Sequence, residues 1–204
     1  MIDTENKTEN RVFFSRWAHR YDHRLFQFWM KRFQDPVYQE IDFTRKSSLL
    51  DISCGTGELL KELSEQNKHR RLILKGLDLT PEMAEKARKK LSSMAKISVG
   101  DVHHLPFKSN FFEYVTSTEA FHHYADQHKA LKEIARVTKP GGKVIIVDVN
   151  FFLGAIHRLF ERFEPGCQKM NNRTEMKRLF EQVGLTNIQQ RRSFLFAVMT
   201  IGIK

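Results

Sequence analysis

The run Asp51-Ile52-Ser53-Cys54-Gly55-Thr56-Gly57 constrains this chain more than any other. It follows the apolar pair Leu49-Leu50 and leads into Glu58-Leu59-Leu60-Lys61-Glu62-Leu63, which has helical spacing. A strand that closes on an acid, turns over two glycines and enters a helix lets main chain approach a ligand. The helix start offers unpaired N–H groups beside it. A dinucleotide fold would want a third glycine at position 60. Leu60 stands there, and Asp51 would repel a pyrophosphate. Glu58-Leu59 occupies the place of the Lys-Ser/Thr pair that a phosphate loop needs. The expected ligand is therefore nucleoside-like, poor in phosphate and positively charged near Asp51. S-adenosylmethionine, with its sulfonium and ammonium groups, meets that description.

The remaining pattern predicts a Rossmann-like, doubly wound α/β sheet. Apolar strands at 48–52, 72–77, 96–99, 114–117 and 143–149 alternate with helices at 58–66, 81–94 and 126–137. Such alternation gives a mostly parallel sheet covered on both faces. Thr80-Pro81-Glu82 reads as a helix start with a hydroxyl cap, and Pro140-Gly141-Gly142 as a turn. After a helix at 174–183, strands at 187–193 and 194–203 follow in direct succession, which predicts an antiparallel hairpin at one edge. Upstream, large residues at helical spacing predict a helix over 12–33. Asp35-Pro36 ends or bends it, and a second helix is expected over 37–43. The organisation is an N-terminal helical lid or substrate segment, 1–44, on a single globular unit, 45–204.

In an open parallel sheet, ligands bind beyond the C-terminal strand ends. Asp51, Asp78 and Asp101 are expected at that edge. Asp51 would order the glycine turn and act, directly or through water, on an ammonium. Asp78 would take two ribose hydroxyls. Asp101 would accept from an adenine amino group, with Leu79, Met83 and Val102 flanking the ring.

These stretches, together with Gly100-Asp101-Val102-His103-His104-Leu105-Pro106-Phe107, residues 112–123 and residues 131–149, resemble the class I S-adenosylmethionine-dependent methyltransferases. More narrowly, they resemble the quinone-biosynthesis C-methyltransferase (methyltransferase type 11) group. The resemblance is strong over 45–150. It implies cofactor contacts from Ser53, Gly55, Thr56 and Gly57 of the turn, from Asp78 and Leu79, from Asp101 and Val102, and near Ser117 and Thr118. It also implies that Tyr21 belongs to a lid. Ser53 stands where the family often has Gly, and Glu113 where it often has Asp.

A sulfonium methyl is already activated, so the protein has to position an acceptor, exclude water and remove a proton. Glu119, His122 and His123, after the fourth strand, are the candidate bases, with Asp148 a weaker one. The expected activity is methyl transfer to a small, hydrophobic or aromatic acceptor, leaving S-adenosylhomocysteine. A tRNA- or RNA-modifying enzyme and a non-catalytic cofactor-binding partner are the alternatives. The net charge of +10 shows no block of like charge and suits an anionic substrate, an anionic membrane surface or RNA. No stretch of the sequence reads as an RNA-binding module. Aromatic residues and Arg158 and Arg162 over 150–164 suggest an apolar mouth edged with positive charge, compatible with peripheral membrane contact. Cys54 and Cys167 show no metal spacing, so no metal is expected, and Cys54 reads as a small residue fitted to the turn. The first ten residues lack signal-peptide or transit-peptide character, which predicts a cytoplasmic protein.

Overall fold

The structure, a computed structural model, describes residues 24–42, 44–66, 72–151 and 154–204, with Val12 and Ser15. In chain order the elements are α1 (Arg24–Tyr38), β1 (Ser47–Ile52), α2 (Glu58–Gln66), β2 (Leu72–Asp78), α3 (Pro81–Leu91), β3 (Ala95–Val99), β4 (Phe112–Thr118), α4 (Gln127–Val137), β5 (Thr138–Val149), α5 (Gly154–Phe163), α6 (Arg173–Gln182), β6 (Thr186–Phe194) and β7 (Ala197–Ile203). Short 3-10 turns at Val102–His104 and Phe121–His123 follow β3 and β4.

The seven strands lie in the order β3-β2-β1-β4-β5-β7-β6. β1 to β5 are parallel, while β7 runs antiparallel between β5 and β6. The chain winds outward from β1 to β3 and then returns to begin again at β4. The β1/β4 divide is thus the switch point at which an open α/β sheet leaves a crevice.

Neighbouring strand residues feed opposite faces, which is why the strands are apolar throughout rather than alternating. Leu49, Ile145 and Val147 pack with Phe33, Val37, Leu59, Leu60, Leu63, Ala87 and Leu91 on one face. Leu50, Val144 and Ile146 pack with Phe112, Phe121, Leu131, Ile134, Met176 and Phe180 on the other. The antiparallel C-terminal pair occurs as expected.

Three local expectations fail. Asp35-Pro36 does not end the helix: Pro36 lies inside α1, which runs on to Tyr38, and among the described residues 37–42 there is no second helix. Phe33 and Val37, on either side of the proline, are both buried, so tertiary packing holds the last turn despite the missing N–H donor. Pro140-Gly141-Gly142 is an irregularity within β5, where the register against β4 shifts. A Cβ on Gly142 would come within 2.9 Å of the carbonyl oxygens of Glu113 and Lys139, so only glycine fits that approach. The Thr80 hydroxyl makes no helix cap. Thr80 N donates instead to Asp78 Oδ1 at 2.9 Å.

Candidate active site

The glycine turn follows β1 with Ser53, Gly55 and Gly57 at φ +56°, +53° and +84°. A Cβ on Gly57 would lie 2.7 Å from Leu91 Cδ1 and 3.2 Å from Ala87 Cβ, so the turn fits closely against α3. Cys54 is buried and packs toward Gly76, as a small residue should. Burial, with the nearby Asp78 and Asp51 carboxylates, pushes its thiol well up, which makes it a poor nucleophile.

Beyond this turn opens a cleft of about 860 Å³, counting the space open to solvent. Of the residues expected at a cofactor, Ser53, Gly55, Asp78, Leu79, Met83, Asp101, Val102 and Thr118 line it. Asp78 Oδ2 accepts from Gly55 N at 2.8 Å, so the β2 carboxylate fixes the turn and faces the cleft at once. Burial raises its pKa against the N–H groups of Thr80 and Gly55. Asp101 Oδ1 receives His103 N at 2.9 Å and lies 2.5 Å from His103 Nδ1. Leu79, Met83 and Val102 supply the apolar wall.

Other expected residues lie elsewhere. Asp51 does not line the cleft; it is buried behind the turn and accepts from Thr116 Oγ1 at 2.8 Å. Burial, with Asp78 adding to it against the Thr116 hydrogen bond, lifts its carboxyl to about 7. Ser117 also sits behind the wall. Tyr124 Oη lies 2.9 Å from Ser117 Oγ and 3.0 Å from Ser53 Oγ, joining the ends of β4 and β1. Gly57 supports the turn rather than the cleft. Thr56 faces a smaller depression shared with Met30 and Gln34 of α1. Tyr21 and most of the expected helix over 12–33 lie outside the described residues.

Composition and spacing gave no reason to single out His103, Ala120, Tyr124 or Ala125 as further lining residues. His103 and Ala120 stand close in sequence to Asp101 and Glu119, while Tyr124 and Ala125 carry no such signal.

The expected bases separate. Glu119 lines the cleft at φ +50°, and its Oε2 is buried without a hydrogen-bond partner. Burial, opposed by His122 and helped by Asp148 and Glu164, lifts its carboxyl to about 8. His123 also lines the cleft, and burial together with His122 pushes it down to about 4. His122 does not reach the cleft. It is fully buried, with Nδ1 2.6 Å from Asp148 Oδ1 and Nε2 3.3 Å from Glu164 Oε1. Burial alone would lower its pKa, but the two carboxylates outweigh that and hold it at about 10.

The cleft therefore pairs a polar, carboxylate-bearing end at β1–β3 with a buried carboxylate and imidazole after β4. The carboxylates, the apolar wall and the main-chain approach fit an adenosyl ligand with a cationic tail, and among the described residues the lining offers no phosphate cradle.

Residues 50–146 match the methyltransferase domain family. Demethylmenaquinone methyltransferase of Bacillus licheniformis is 29% identical over 184 aligned residues, covering 78% of this chain and 79% of the relative. The enzyme of the same name from Staphylococcus saprophyticus is 29% identical over 203, covering 86% and 84%. Among solved structures, an S-adenosylmethionine-dependent methyltransferase of Thermotoga maritima superposes with a TM-score of 0.75 at 21% identity, covering 95% of this chain and 99% of that one.

Proposed function

Because the chain belongs to the class I S-adenosylmethionine-dependent methyltransferases, we propose that it methylates a ring carbon of a hydrophobic, quinone-like acceptor in its reduced form, with Glu119 as proton acceptor. When bound, the cofactor supplies a methyl activated on a sulfonium, and transfer leaves a neutral thioether. Asp78 would hold the ribose hydroxyls, Asp101 the adenine edge, and Leu79, Met83 and Val102 the ring faces. The glycine turn would meet the amino-acid end, with Asp51 behind it. Glu119 takes the proton that the acceptor loses as the new carbon–carbon bond forms.

The observation that carries this reading is the buried, hydrogen-bond-free Glu119 Oε2 in the cleft wall, on a backbone conformation that costs a non-glycine residue energy. The relatives' name supports the acceptor class. α1 brings Met30 and Gln34 to the outer side of the glycine turn, which supports reading residues 1–44 as a cover over the cofactor. An exposed apolar patch supports delivery of the acceptor from a bilayer, with the enzyme acting from the cytoplasm. Leu159, Phe160 and Phe163 of α5 and Leu195 and Phe196 between β6 and β7 make that patch. Among the described residues no helix is long and apolar enough to cross a membrane.

The test is methyl transfer from a labelled donor to a reduced naphthoquinone with an unsubstituted ring carbon, dispersed in detergent, with total tRNA as a parallel acceptor. Label is expected on the ring carbon. Glu119→Gln should lose about a hundredfold or more in rate, the scale of general-base catalysis, while still binding S-adenosylhomocysteine. Label in tRNA alone, or in neither acceptor across a range of salt, overturns the acceptor class.

A further inference from the structure

We propose that His122, His123 and Glu164 form a binding site for a divalent transition-metal cation of the zinc type. One potential ligand atom from each lies within 4.8 Å of the others. His122 Nε2 and Glu164 Oε1 are 3.3 Å apart, yet Nε2 makes no aligned hydrogen bond. That separation is about the edge of a tetrahedron whose metal–ligand bonds measure ~2.0–2.1 Å. Two further buried oxygens in the same neighbourhood, Glu164 Oε2 and Glu119 Oε2, also lack hydrogen-bond partners. Buried carboxylate oxygens are ordinarily satisfied, so these leave acceptor capacity beside the cluster that a cation can use.

The surroundings are those of a ligand set held in place. Asp148 Oδ1 sits 2.6 Å from His122 Nδ1 and also receives Val149 N. A carboxylate on the far ring nitrogen fixes the tautomer once a cation displaces the Nε2 proton, the usual support for a metal-bound histidine. The His122 carbonyl accepts from Gln168 N at 2.9 Å and Lys169 N at 3.2 Å, which binds the chain following α5 to the 3-10 turn and keeps Glu164 in reach. Two imidazoles and a carboxylate suit zinc, iron or cobalt better than magnesium or calcium, and they leave coordination positions open.

His123 and Glu119 face the cleft, so an open position would be directed at the acceptor. Polarising an acceptor hydroxyl there is the site's use if the function proposed above holds; the metal site itself does not depend on that reading.

The experiment uses the full chain after chelator treatment, titrated with Co(II) and followed by visible absorption and calorimetry. One equivalent should bind with the intense bands of low-coordinate cobalt, and Zn(II) should displace it. Glu164→Gln should abolish this equivalent, and Asp148→Asn should weaken it about 10–100-fold. His128→Gln, an exposed histidine elsewhere, should leave it intact. Circular dichroism identifies a variant that fails to fold. In that case the intact chain decides, since absence of a stoichiometric site there overturns the proposal. So does a Glu164→Gln variant that folds and still binds one equivalent. Binding is read without any acceptor, so this result and failure of the acceptor test are distinguishable.

Discussion

Burial lifts the Asp51 carboxyl to about 7, well above its ordinary ~3.9 in an unfolded chain. The folded protein therefore favours the protonated form. The stabilisation Asp51 contributes is complete below about pH 4 and is lost as pH rises through 7. Asp51→Asn removes the titration and keeps an oxygen to accept from Thr116 Oγ1. In cofactor-free protein its melting temperature should fall less between pH 5 and pH 8 than that of the unmodified chain. Parallel curves would remove Asp51 as the source of the slope. The sequence indicated an acid at the end of β1 but not its depth. Whether such a residue faces the cleft or the layer behind it depends on how the next turn folds over it. The His122-His123 pair had the same ambiguity. In a 3-10 turn successive side chains diverge by about a third of a turn, so one ring enters the interior and the other meets the cleft. Which does which is decided by Asp148 and Glu164, remote in sequence and joined to His122 only by folding.

At the scale of elements, the turn between β1 and α2 is held as tightly from behind as from the ligand side. Gly57→Ala must accept both a left-handed φ of +84° and a Cβ 2.7 Å from Leu91. Conformational strain of about 1–2 kcal/mol and overpacking of about 1–3 kcal/mol should add. Gly141→Ala, at φ +76° with nothing within 4 Å of its Cβ, should show the first cost alone. Urea denaturation of the two variants checks the difference, and equal losses would remove the packing contribution. Periodicity carried most of the architecture: five parallel strands, their helices and the antiparallel close are all legible in the apolar spacing. Prolines misled twice. Pro36 is retained in α1 by the buried Phe33 and Val37, and Pro140 is absorbed by a register shift in β5. In both places tertiary packing outweighs a local preference.

Taken whole, the molecule carries a net charge of +10 together with an apolar patch on one side. Phe151 stacks on Phe160 at 4.3 Å and on Phe196 at 5.2 Å between centroids, which ties α5 to the β6–β7 turn as one surface. Arg158 and Arg162 are exposed on the same helix. Vesicles containing anionic lipid should retain the protein at low salt and release it as salt rises, because Debye screening removes the electrostatic share. Phe163, 71% exposed, should matter without supporting the fold, so Phe163→Glu should abolish retention at unchanged melting temperature. Co-sedimentation checks both, and salt-independent retention would remove the electrostatic contribution. The sequence showed the aromatic residues of this region but not their exposure, since helical spacing looks alike whether a stripe meets a sheet or the solvent.

The phenol of Tyr124 rests on serines from both banks of the β1/β4 divide. It forms a crossbar that joins the two banks through a single oxygen. A molecule lodged at the adenosyl end and one lodged beside Glu119 should consequently sense each other even without touching.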